Sequence, residues 1–127
     1  MYSNNAYNIY KKNSVNFASK EQLLLMLLDG AVTFVKTARQ GIEEKNIIKA
    51  HENIMKTEDI FIELMATLDV EKGGAWAGNL MLVYEFINHK LAKANIKKSV
   101  EILDEVIPLI EDIRDTWNEA YKLSKME

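Results

Sequence analysis

Residues 19–42 read SKEQLLLMLLDGAVTFVKTARQGI, and this stretch decides the fold. Leu24, Leu27, Leu28, Ala31, Phe34, Val35, Ala38 and Ile42 return at steps of three and four. That is the period of one helix face, not the alternation of a strand. Ser19 with Gln22 three residues on forms a capping box, so the helix starts there. Gly41, near its end, suits a left-handed C-cap. Gly30 lies inside the helix, where glycine costs about 1 kcal/mol relative to alanine, and close helix packing is the expected reason.

Three similar segments follow. Asn46 caps a second helix with the stripe Ile47, Ala50, Ile54, Phe61, Leu64, Met65 and Leu68. Residues 69–74, Asp-Val-Glu-Lys-Gly-Gly, read as a turn. A third helix carries Ala77, Leu80, Tyr84, Ile87, Leu91 and Ala94, with Asn95 as a left-handed stop. A fourth starts at the Ser99 cap and uses Leu103, Val106, Ile110, Ile113, Trp117 and Ala120. Short connections between helices of about 20 residues predict an all-α, antiparallel, up-down-up-down four-helix bundle over residues 19–124. Pro108 falls inside the fourth helix, removes the bond to the Asp104 carbonyl and predicts a kink. Upstream, residues 1–18 are rich in Asn yet contain Tyr2, Tyr7, Ile9, Tyr10, Val15 and Phe17 without helical or alternating period. They read as an arm, mobile or packed on the bundle.

The chain has 127 residues, a size that suits a single core. It has no Cys, which excludes disulfide frameworks, thiolate zinc sites and thiol nucleophiles. Sixteen Lys and Arg against nineteen Asp and Glu leave a net charge of −3, so no general basic field holds a nucleic acid. The longest apolar run, Leu23–Leu28, is far below the roughly 20 residues of a membrane span. No positive region leads into an apolar stretch at the start, and a cytoplasmic location is expected.

Nearly half the residues, 48%, are hydrophobic, more than one narrow stripe per helix needs. At 100° per residue a second apolar row appears beside each core stripe. The rows are Leu25 and Val32; Ile48, Met55 and Ile62; Trp76 and Val83, with Leu82 and Phe86 further round; and Ile102 and Leu109. Wide core stripes produce such rows, and so do grooves for an amphipathic partner segment or a homodimer interface. Ile48, Met55, Ile62, Leu82, Val83, Phe86, Ile102 and Leu109 are therefore the candidate partner contacts.

Catalytic and metal chemistry finds little support. His51 and His89 lie on different helices among polar neighbours, without the paired Glu-x-x-His motifs of a di-iron bundle. A phosphotransfer histidine wants Lys and Gly three and four residues on, where His51 has Ile54 and Met55. Gly73-Gly74 lacks the P-loop Lys-Ser/Thr and a preceding strand. No cofactor, metal or enzymatic activity is expected.

Glu71-Lys72-Gly73-Gly74, Ala77, Asn79-Leu80, Tyr84, Leu91 and Ala94-Asn95 resemble the FliS family of flagellin export chaperones. So do Glu101-Ile102-Leu103-Asp104-Glu105-Val106, Arg114-Asp115-Thr116-Trp117, the arm positions Ala6-Tyr7, Tyr10 and Ser14-Val15, and Leu27 with Asp29-Gly30-Ala31. Lys20 stands where the family usually begins the helix with proline, Asn88-His89 where arginines are common, and Pro108 where glycine is frequent. The resemblance implies a bundle that binds the disordered C-terminal segment of flagellin, blocks premature polymerisation and keeps it competent for flagellar type III export. It also implies an arm that can lie over the binding site, with Tyr7 and Tyr10 as lid and export-gate contacts. From a different class, a self-associating structural or adaptor bundle fits the same apolar rows, as a homodimer without client.

Overall fold

A side-chain oxygen turns the chain into each of its helices. The computed structural model describes residues 19–126, and within them four helices follow one another: α1 (Lys20–Glu43), α2 (Ile47–Thr67), α3 (Val70–Lys97) and α4 (Val100–Lys125). Ser19 Oγ accepts from the Gln22 amide at 3.2 Å while Gln22 Oε1 accepts from the Ser19 amide at 2.9 Å, the reciprocal box the sequence predicts. Asn46 and Ser99 likewise accept from the Lys49 and Ile102 amides. Each cap satisfies a donor that the first turn leaves free, which lets connections of only two or three residues suffice.

The helix ends depart from the sequence reading in three places. Residues 69–74 are not an open turn: Asp69 caps α3 through the Lys72 amide, and helix resumes at once. The break is confined to Gly74, at φ 61° and ψ −140°, a conformation an L side chain disfavours. Gly73 beside it is needed for space, since a Cβ there would lie 2.4 Å from that of buried Ala77. Gly41 does not cap α1. A Cβ on it would sit 2.8 Å from the Ala50 amide nitrogen, so glycine is what lets α1 and α2 close together. The left-handed residue of that loop is Lys45, φ 60°. At the far end of α3, Asn95 stays helical and Lys98 turns left-handed, φ 48°. Its Nζ donates to both the carbonyl and the side-chain oxygen of Asn95.

Around the ring, α1 packs on α2 and α4, and α3 on the same two. Partners run in opposite senses: Lys36 and Arg39 of α1 meet Glu111 and Asp104 of α4, and Asn88 and Asn95 of α3 meet Glu58 and His51 of α2. This is the expected antiparallel bundle. Its core takes Leu28, Val35, Ile54, Phe61, Tyr84, Leu91, Leu103 and Ile110 from the predicted stripes, all 2% exposed or less. Phe61 and Tyr84 meet with ring centroids 5.7 Å apart. A side chain of this kind contributes about 1.5–3 kcal/mol on burial. Ile47 and Ala120, both expected in the stripes, are exposed instead, because each lies near a helix end beyond its neighbours' cover. Gly30 is not a close-packing glycine: a Cβ there would meet Ile60 and Phe34 at 3.6 and 3.7 Å, ordinary contact. α4 passes through exposed Pro108 as one helix, with Ile107 and Ile110 buried on either side of it.

Candidate protein-docking surface

The four seams of the ring are finished differently. Between α1 and α4, Arg39 Nε and Nη2 grip both oxygens of Asp104 at 2.6 and 3.2 Å. Lys36 reaches Glu111 at 3.0 Å and Arg114 lies 3.9 Å from Asp29 along the same seam. The Arg39 hydrogen bonds hold the Asp104 carboxyl below its ordinary range and raise Arg39 in return. Between α1 and α2, Lys56 stands over the Phe34 ring and Lys49 pairs with Glu44. Charged side chains therefore roof both seams of α1.

Both seams of α3 carry apolar surface, although on the α4 side Lys90 also bridges to Glu105 and stands over the Phe86 ring. Asn88 and Asn95 mark the flank of α3 that faces α2, and the Lys90–Glu105 pair, 3.0 Å, marks the flank that faces α4. At 100° per residue, Ile48, Met55 and Ile62 fall on the α3-ward flank of α2. Ile96 of α3 lies outward of the Asn95 flank, at the Ile48 end, and Leu82 lies on the outer face of α3, nearer to Phe86 than to Asn88. On the other flank, Val83 and Phe86 lie toward α4 at the level of Leu109, with Ile102 nearer the loop between α3 and α4. The exposures separate site from core: Ile48 is 72% exposed, Leu82 63%, Ile62 54%, Phe86 48%, Met55 40% and Val83 38%. Ile102 and Leu109 are half-buried against the core and offer only an edge. On α1 the second row is core flank, since Val32 is buried and Leu25 half-buried. Tyr7 and Tyr10 lie outside the described residues.

Two features of the surface were absent from the candidate set. Ile96, 84% exposed, extends the α2–α3 seam, and Trp76 makes an edge contact with Trp117 at 5.7 Å on the α3–α4 side. Ile96 lies two heptads after Leu82, with His89 polar between them, so the row is broken in the sequence. A separate groove of about 370 Å³ opens between the start of α1 and the end of α4, lined by Leu24, Leu25, Trp117 and Tyr121.

Polar groups punctuate the α2–α3 seam. Asn88 Nδ2 donates to the Glu58 carbonyl at 3.2 Å, and Asn95 Nδ2 reaches His51 Nδ1 at 2.9 Å. Burial raises the Glu58 carboxyl above its ordinary value, neighbouring Asp59 adds to this, and His51 opposes it. Asp59 Oδ2 and Asn88 Oδ1 are buried and accept from no described group. Among the described residues no cluster of His, Asp or Glu is arranged to hold a metal ion, and no helix is long and apolar enough to cross a membrane. What the arrangement offers is reversible burial of a partner's apolar face.

An all-α bundle with exposed apolar side chains along the helix that packs least on its neighbours has the form of a helical protein-binding module. The profile of the family described as Flagellar protein FliS matches residues 3–124. The Flagellar secretion chaperone FliS of Bacillus subtilis is 32% identical over 123 residues, covering 97% of this chain and 91% of that protein. That of Campylobacter jejuni is 33% identical, covering 95% and 94%, and that of Salmonella typhimurium 33%, covering 85% and 81%. A solved structure described as a flagellar chaperone from bacteria superposes with a TM-score of 0.75 over 93% of this chain and 96% of its own, at 16% identity, and shares the fold. The chain belongs to the FliS family of flagellar secretion chaperones, a family of chaperones and not of enzymes.

Proposed function

We propose that this chaperone works in the cytoplasm and takes the disordered C-terminal segment of flagellin as its client, laying it along the two apolar seams of α3. Held there, the segment is kept from premature polymerisation and remains deliverable to the flagellar type III export apparatus. The observation that carries the reading is the run of exposed Ile48, Met55 and Ile62, seven residues apart on the α3-ward flank of α2. A segment disordered alone folds as it binds, so part of the contact energy goes into ordering it, and long seams suit that better than one deep pocket. Leu82, Val83 and Phe86 on α3, with the edges of Ile102 and Leu109 on α4, continue the contact on the second flank. In this reading residues 1–18 form an arm beside the bundle of residues 19–124, and Tyr7 and Tyr10 serve as lid and export-gate contacts.

Titration calorimetry against a flagellin C-terminal peptide tests it. The pair Met55→Asp and Ile62→Asp should weaken binding at least tenfold, since each charge must be desolvated where apolar contact stood. Unchanged affinity would remove α2 from the site. A tight dimer that ignores the peptide in sedimentation would favour a self-associating bundle instead.

A further inference from the structure

A short chain of hydrogen bonds ties α2 to α3 and ends on the loop into α4. Lys98 closes α3 in the left-handed region, φ 48°, which glycine or asparagine occupies at less cost. Its own ammonium braces the turn: Nζ donates to the Asn95 carbonyl and, at 2.8 Å, to Asn95 Oδ1. With Oδ1 so occupied, the other end of that amide is a donor, and Nδ2 meets His51 Nδ1 of α2 at 2.9 Å. Nδ1 is then the acceptor, which puts the ring hydrogen on Nε2. From Lys98 through Asn95 to His51 every donor faces an acceptor, and the order runs in one direction only.

A proton on Nδ1 breaks that order. An imidazolium carries two donors and no acceptor, so its Nδ1–H would face the Asn95 amide N–H. Turning the amide brings Oδ1, 3.3 Å from Nδ1, into line with the ring, but sets an N–H against the Lys98 ammonium. Turning the exposed ring into solvent unlinks α3 from α2 instead. One of the two bonds is lost on either course. Histidine is the side chain that takes up such a proton near neutral pH. The charged groups around the ring are Glu52 and, two turns on, Glu58 of α2, Lys45 in the loop before α2, and Lys98 at the end of α3. Among the described residues no carboxylate forms an ion pair with it.

We infer that His51, Asn95 and Lys98 form a proton-sensitive clasp, which holds the end of α3 to α2 and braces the α3–α4 loop while His51 is neutral, and opens when His51 is protonated. The end of the bundle beside Ile48 and Ile96 is closed at neutral pH and loosened in acid. This follows from the hydrogen-bond directions alone and holds whatever partner the bundle carries.

The amides of Lys98 and Ser99 both donate to the Ala94 carbonyl and report on the clasp. Their protection factors in hydrogen exchange, with the intrinsic pH dependence divided out, should fall about two- to tenfold between about pH 8 and about pH 5.5, the effect of one hydrogen bond. Amides around Val35 should show no such step. His51→Asn keeps an acceptor in place of Nδ1 and cannot be protonated there, so its protection should stay high at both pH values. His51→Ala should be low at both. No step in the parent protein overturns the clasp. The same step in His51→Asn places the proton elsewhere, Glu58 being the nearest acid on the seam, and overturns it too. Full protection in His51→Ala at about pH 8 overturns the link to α2. His51 is exposed, so these substitutions leave the core untouched.

Discussion

At Gly30 and Gly41 the same residue type sits on the same helix and answers to different physics. Gly30 has room: the nearest side-chain atoms to an added Cβ are 3.6 and 3.7 Å away, so only glycine's excess backbone freedom is felt. Gly30→Ala should therefore stabilise the fold by about 1 kcal/mol, raising the melting temperature by roughly 3–5 °C in calorimetry. Gly41→Ala drives a methyl into the backbone of Ala50 at 2.8 and 3.1 Å, which no rotamer change relieves. It should cost about 2 kcal/mol or more by forcing α1 from α2. A melting temperature unchanged by both substitutions would refute the distinction. The amino-acid pattern suggests the opposite assignment, close packing at Gly30 and a cap at Gly41. Periodicity places a residue on its own helix, but which neighbouring backbone comes near is settled only by the crossing of two helices. Caps such as Ser19, Asn46 and Ser99 were legible because both partners lie within one turn of chain.

Between elements, charge decides which seams are closed, and two carboxyls report on it with opposite signs. The folded pKa of Asp104 is depressed by Arg39 across the α1–α4 seam. Its contribution to stability is then full above the ordinary carboxylate range and is lost as pH falls through the depressed value. Asp104→Asn should melt below the parent at pH 7, and the gap should close in acid as the pH falls through the depressed value and both side chains become neutral. Glu58 on the α2–α3 seam is raised chiefly by burial. Its charge weighs against the fold above the raised value, and protonation relieves the burden as pH falls. Glu58→Gln should thus melt above the parent at pH 7 and match it in acid. Parallel melting-temperature profiles for the two variants would contradict this pairing of seams. The sequence marked apolar rows on all four helices but not which would be covered. Val32 vanished into the core because α1 has two closely packed neighbours, while Ile48 and Leu82 stayed out. The ion pairs that roof α1 were illegible for a similar reason, since Arg39 and Asp104 are 65 residues apart.

For the whole molecule, uneven finishing of the seams means uneven stability. α1 buries seven of its 24 residues, whereas α3 buries five of 28 and is interrupted at Gly74. α3 also packs less extensively on its two neighbours than α1 does on the same pair. A helix with fewer buried contacts opens locally at a lower free energy than the global transition, so the two should separate in native-state hydrogen exchange. Amides from Leu28 to Ala38 should exchange slowest, near the global limit, and those of α3 before Tyr84, and of α4 after Ile113 where no residue is buried, much faster. The client should change this order. If it lies along both flanks of α3, its binding adds to precisely the contacts that α3 lacks, and exchange there should slow at least tenfold while α1 changes little. Equal slowing of all four helices would indicate stabilisation without a preferred face. Slowing confined to the start of α1 and the end of α4 would move the client to the groove beside Trp117 and Tyr121.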